Sequence, residues 1–194
     1  MMIKRVYFSA MITAAMGAVV MGCSRSEVNR YAGSPPDNLF VNPGFESDAV
    51  DILPWFVNIH ADPEAFEFGV DSKVAFEGKN SLRIQRKREQ PFANVVQYFR
   101  RPQDVRRPFR LSVWLRGEDV VGEVRLHAVF SEMGGSIGSD HSESPRLSGT
   151  FGWTRLDMDI VPPSPRVDAI QAGVTVSGDG TLWIDAAELV PLTE

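Results

Sequence analysis

The chain has 194 residues with 20 basic and 25 acidic side chains, a formal net charge of −5, one cysteine and three histidines. That acidic balance, with no concentrated basic run, excludes nucleic acid as a partner, because binding a phosphate backbone requires a basic face. A single cysteine excludes an internal disulfide, and so few histidines argue against a catalytic zinc centre.

Residues 1–22 form the first element. Lys4-Arg5 precede an uncharged apolar run over 6–21 that closes on Gly22-Cys23. The run is shorter than the roughly 20 residues a membrane span needs and ends in a small residue, the pattern of a secretory signal. Val20-Met21-Gly22-Cys23 resembles the lipobox of bacterial lipoproteins. That resemblance implies cleavage before Cys23, acylation of its thiol and new amino group (palmitate among the acyl chains), and a membrane partner through the lipid anchor. Ser24 in place of Asp implies sorting within the cell envelope to the outer membrane of a two-membrane bacterium. Loss of Lys4 and Arg5 takes the net charge from −5 to −7. Residues 23–36 combine the lipidated cysteine with a Ser, Arg, Asn, Gly and Pro tether, and 37–194 are enough for one domain.

Beyond the tether, apolar residues alternate in short runs split by Gly, Pro, Asp and Asn, with no sustained helical periodicity. The clearest predicted strands are 81–86, 94–100, 109–116, 123–130, 154–161, 169–176 and 181–189; weaker ones fall at 38–41, 55–59 and 65–70. The stretch 134–149, rich in Gly and Ser, reads as the longest loop. Eight to ten such strands predict an all-β chain folded as a two-sheet antiparallel β-sandwich, or jelly roll.

Alternation assigns faces. In 109–116 it turns Phe109, Leu111, Val113 and Leu115 to the core and Arg110, Ser112, Trp114 and Arg116 outward; in 123–130 it turns Val124, Leu126, Ala128 and Phe130 inward. The phase of 94–100 is open: with Val96 and Tyr98 inward, Gln97 and Phe99 face out. The expected ligand face therefore carries Trp114, Arg116, Arg125, His127 and Gln97. An aromatic plane suits the C–H face of a sugar ring, and Arg and Gln suit its hydroxyls. Equally, a loop can cover such a Trp. Trp55 and Trp153 are expected in the core, and Trp183 outward.

Two acids stand apart. Glu46 follows the strand-stopping Asn42-Pro43-Gly44, and Asp185 ends Leu182-Trp183-Ile184. Carboxylates delivered from both ends of one domain can meet and hold a hard cation. Enzyme signatures are weak. Ser139-Asp140-His141-Ser142 holds the atoms of a hydrolase triad, but sequence neighbours do not place them in line, and Pro63 breaks the strand that would align His60, Asp62 and Glu64.

Several pieces together resemble a known family: Asn42-Pro43-Gly44-Phe45-Glu46, Trp55, the run Glu77 to Ile84, Arg110 to Arg116, Trp153, and Leu182-Trp183-Ile184-Asp185. In order and spacing, 38–189 is similar to carbohydrate-binding modules of the family four/nine type, among the galactose-binding-domain-like jelly rolls. The resemblance implies a non-catalytic module for a polysaccharide or oligosaccharide. It also implies a structural calcium held by Glu46, Asp185 and backbone carbonyls around Gly78 and Asn80. The family often sets paired acids after the closing Ile, where this chain has Asp185-Ala186. The expected protein is thus a lipid-anchored glycan-binding module; the alternative is an envelope lipoprotein whose sandwich contacts another envelope protein.

Overall fold

The computed structural model describes residues 34–47, 52–100, 106–139 and 144–192. Cys23, the leader, most of the tether and Asp140-His141-Ser142 lie outside the described residues. Among the described residues nine strands follow in order: β1 Phe56–Ile59, β2 Phe66–Asp71, β3 Ser81–Arg86, β4 Ala93–Phe99, β5 Phe109–Glu132, β6 Gly135–Ser139, β7 Arg146–Ile160, β8 Ala169–Val176 and β9 Asp179–Pro191. All of their pairings are antiparallel.

The organising element is β5, 24 residues long. Its first part lies between β9 and β7, with Leu115 opposite Ile184 and Thr154. Its second part lies beside β8 and β6, with Leu126 opposite Val174. The pairings therefore divide into β2-β3-β9-β5-β7 and β1-β4-β8-β5-β6, with β7 following β5 through the crossover to Val124 and Arg125. The register shifts between Leu115 and Val124 mark the crossover, as bulges bend a strand and raise its twist. Gly117 permits it locally, since a Cβ there would meet the Phe151 ring at 2.4 Å.

Inward residues of both halves fill one core: Phe109, Leu111, Val113 and Leu115 from the first, Val124, Leu126, Ala128 and Phe130 from the second. Trp55 packs among them, stacked on Phe40 at 4.7 Å and tilted against Phe45 at 5.4 Å. Its Nε1–H donates to the Asn42 carbonyl at 2.9 Å, so the tryptophan holds the Asn-Pro-Gly-Phe turn to the core.

The all-β sandwich follows the sequence reading, with four corrections. Predicted strands 109–116 and 123–130 are one strand, because the bulged crossover keeps the backbone extended where Gly and acids suggested a break. Residues 38–41 form no strand, although Leu39 N–H donates to the Leu189 carbonyl. The expected loop 134–149 contains β6 and the start of β7, since Gly and Ser mark a hairpin as readily as a loop. In β4 the inward set is Ala93, Val95, Gln97 and Phe99, which turns Asn94, Val96 and Tyr98 outward.

Candidate functional site

Three places collect polar or aromatic side chains. At the first, Asp185 sits in a bulge of β9: Ser112 pairs with Glu188 and Trp114 with Asp185, leaving an extra residue on β9. Ala186 there adopts φ +44°. The Asp185 side chain is fully buried and aimed at the segment 72–80, where its Oδ2 accepts from Phe76 N–H at 2.8 Å and Glu77 N–H at 3.2 Å. Its Oδ1 accepts from Ala186 N–H at 2.7 Å. Glu46 grips the same segment from the other chain end, its Oε1 accepting from Lys79 and Asn80 N–H at 2.7 and 2.8 Å. Gly78 allows the approach: it has φ +72°, and a Cβ would lie 2.3 Å from Glu46 Oε1.

Burial pushes the Asp185 carboxyl up to about 7, and the nearby Glu46 adds to the rise against the pull of the backbone N–H donors. Glu46 and Asp185 hold neighbouring parts of one segment, Asp185 at Phe76 and Glu77 and Glu46 at Lys79 and Asn80. The backbone groups that Lys79 and Asn80 turn to Glu46 are N–H donors, whereas the expectation named carbonyls. No cluster of three or more His, Cys, Asp or Glu occurs among the described residues. A hard cation here would have to share the carboxylate oxygens with these N–H donors and take its remaining ligands from carbonyls or water.

The second place is the outer face of the first sheet. Trp114 lies there with its ring stacked under Phe76 at 3.9 Å and 15°. Trp153, expected in the core, is half-buried on this face with its ring edge-on to Phe76 at 5.8 Å. The cause is parity: β7 turns Leu156, Met158 and Ile160 inward, so Trp153 points out. Trp183 does face outward, but it is buried beneath Arg116, whose guanidinium carbon lies 5.5 Å from the ring centroid. Its Nε1–H donates to Asp71 at 2.9 Å. Around this cluster runs a cross-strand polar ladder. Arg110 holds Asp159 in two hydrogen bonds, lowering that carboxyl, and Arg155 bridges Asp157 and Glu188. The Trp114 face is thus covered by the loop that Asp185 and Glu46 anchor.

The third place is the outer face of the second sheet, whose registers give a grid. One row runs Asn58, Asn94, Thr175, Arg125, Arg146; the next Phe56, Val96, Gly173, His127; the third Tyr98, Gln171, Val129, Ser139. The Tyr98 hydroxyl accepts from Asn58 Nδ2 at 2.8 Å and from Gln171 Nε2 at 3.1 Å. Asn58 stands two rows from Tyr98, so the ring lies along β4 over Val96, which is buried although it points outward. Tyr98 and Phe56 remain 45% and 46% exposed, edge to face at 5.8 Å. Gly173 leaves the middle of the sheet without a side chain. Beyond it, Thr175 donates to Asn94 Oδ1 at 2.7 Å, so His127 Nδ1, 3.2 Å from the same hydroxyl, is the donor to it.

The five expected ligand residues are not brought together. Trp114 and Arg116 belong to the first sheet's outer face, Arg125 and His127 to the second's. At about 3.3 Å per residue, Trp114 and His127 stand on the order of 40 Å apart along β5. Gln97 is buried and binds the Val41 backbone on both sides, at 3.2 and 2.7 Å. Reasoning from alternation identified outward residues correctly in β5 but assumed one sheet, and it missed Phe56, Asn58, Tyr98 and Gln171. The signal for these was the alternate phase of 94–100.

No protein-family model and no curated protein matches this chain. Solved structures do. The TmCBM61 module in complex with beta-1,4-galactotriose is 21% identical at TM-score 0.56, over 80% of this chain and 99% of that one. The C-terminal family 22 carbohydrate-binding module of Clostridium thermocellum Xyn10B is 16% identical at 0.59, over 83% and 99%. The enzymatically active domain of bacteriophage CBA120 tailspike protein 4 is 15% identical at 0.63, over 80% of this chain but only 22% of that one. The Stig cyclase Fisc from Fischerella sp. TAU is 15% identical at 0.54, over 80% and 98%. At these identities the likeness establishes a jelly-roll sandwich. Its neighbours are chiefly carbohydrate-binding modules, with a cyclase among them, so the fold alone does not decide the chemistry.

Proposed function

We propose that this protein is a non-catalytic glycan-binding module of the family four/nine kind, held in the cell envelope, at the outer membrane, by a lipid on Cys23. Its binding face is the outer face of the second sheet. The observation that carries this reading is Tyr98: an exposed ring whose hydroxyl is fixed by two side-chain amides, flanked by Phe56. A ring already immobilised loses little side-chain entropy when a sugar stacks on it, and Asn58 and Gln171 stand beside it to meet hydroxyls. The carbohydrate-binding neighbours support the same reading. Many anchored copies on one polymer would make modest single-site affinity sufficient. Glu46 and Asp185 would hold a structural calcium on the far side of the fold, as a fastening of the chain ends.

The test is affinity electrophoresis of the protein against β-1,4-galactan and xylan. Tyr98→Ala is expected to abolish retardation with little change in melting temperature, while Trp114→Ala keeps it. Unchanged retardation of Tyr98→Ala would refute the face.

A further inference from the structure

The glycan face is chemically lopsided, and its charged end points to the class of sugar. Along β1, β4, β8 and residues 123–131 of β5, Glu123 is the one acid among the described outward residues. Against it stand two cations. Arg125 and Arg146 are cross-strand partners, at the end of the row that begins with Asn58 and Asn94. Both reach the same carboxylate, Arg146 Nη1 at 2.8 Å from Glu123 Oε2 and Arg125 Nη1 at 3.4 Å from Glu123 Oε1. Among the described residues, one carboxylate shared by two guanidinium groups leaves one positive charge uncompensated. The buried Nε of Arg125 has no hydrogen-bond partner among the described residues, and a buried unmade donor is costly. Guanidinium groups are forks suited to carboxylates.

Resting on the reading that this face binds glycan, we propose that its ligand is an acidic polysaccharide, a uronic-acid polymer. Its carboxylate meets Arg125 and Arg146 while a neighbouring ring stacks on Tyr98. The chain's net negative charge does not oppose this, because charges more than a Debye length away, about 10 Å at 0.1 M salt, are screened. The acids of the first sheet's ladder lie on the opposite side of the sandwich.

The test compares two polymers of related sugars, polygalacturonate and neutral β-1,4-galactan, by titration calorimetry with the full chain purified in non-ionic detergent. Polygalacturonate is expected to bind at least about tenfold more tightly than galactan. Arg146→Gln and Arg125→Gln should each remove about tenfold from polygalacturonate affinity, leave any galactan binding unchanged, and flatten its salt dependence between 50 and 500 mM NaCl. Tyr98→Ala should weaken both polymers. Equal affinity for the two polymers, insensitive to either arginine but lost in Tyr98→Ala, would overturn the acidic ligand and leave the face intact. Polygalacturonate binding that survives Tyr98→Ala would overturn the face itself, and binding to neither polymer would overturn both.

Discussion

Asp185 gives a prediction whose size follows from its surroundings. Its carboxyl is pushed from an ordinary 3.8 up to about 7 in the fold. Each unit is about 1.4 kcal/mol, so ionising it in the metal-free protein costs the native state about 4 kcal/mol relative to the unfolded chain. A raised carboxyl binds its proton more tightly when folded. The stabilisation is therefore complete below about pH 4 and is lost as pH rises through 7. Asp185→Asn has no proton to lose. Its amide can still accept from Phe76 and Glu77 N–H but sets a donor against Ala186 N–H, at about 1–3 kcal/mol. In EDTA the variant should be the less stable protein near pH 4.5 and match or exceed wild type near pH 8. Calcium at 10 mM should return roughly 1.4–2.7 kcal/mol to wild type at pH 8, for affinities typical of extracellular sites, and little to the variant. Denaturant unfolding at several pH values, with chelator and then with calcium, reads all of this. Asp159, held low by the hydrogen bond from Arg110, loses its contribution only near or below pH 4, outside the window. A wild-type-minus-variant difference that stays constant from pH 5 to 8 and ignores calcium would refute both the buried charge and the cation.

Gly78→Ala forces a Cβ onto Glu46 at a positive φ; it should cost about 1–3 kcal/mol in unfolding free energy and lower calcium's effect on melting, and a neutral substitution would show the grip is loose. Trp55→Ala should cost about 3–5 kcal/mol, because it empties a space between Phe40 and Phe45 and frees the Asn42 carbonyl, whereas half-buried Trp114→Ala should cost clearly less; equal melting shifts would contradict the packing. Cys23→Ser should release the protein from membranes or leave its leader uncleaved, and an intact mass of membrane-extracted wild type without acyl chains would defeat the anchor.

The strands were legible because period-two alternation survives in single runs such as 81–86 and 169–176, each bounded by turn residues. What alternation does not carry is which sheet a run belongs to. Arg125 and Trp114 both point away from the core, and nothing between them in the sequence says that β5 changes sheets at Gly117 to Val124. The phase of 94–100 was open for a related reason: Val95, Val96, Tyr98 and Phe99 are all apolar or aromatic, so both faces look buriable. It is settled by pairing with β8, where Ile170, Ala172 and Val174 define the core side. Gln97 turned inward could not be foreseen, because its partner is the irregular backbone at Val41. That Glu46 and Asp185 act on one segment was legible, since both acids end apolar segments at opposite termini of one sandwich.

The strand β5, which serves both sheets, also separates their tasks. Residues 109–118 of β5 sit beneath the segment fastened by Glu46 and Asp185, where Phe76 stacks on the half-buried Trp114. Residues 123–131 contribute His127 and Arg125 to the open face opposite Tyr98. In the proposed function the fastening at the chain ends acts on stability, while Tyr98, Asn58, Gln171 and the arginine pair would choose the ligand. Trp114, the most sugar-like residue in the linear sequence, belongs to the fastening: its ring is occupied by Phe76, which Asp185 holds in place through its backbone N–H.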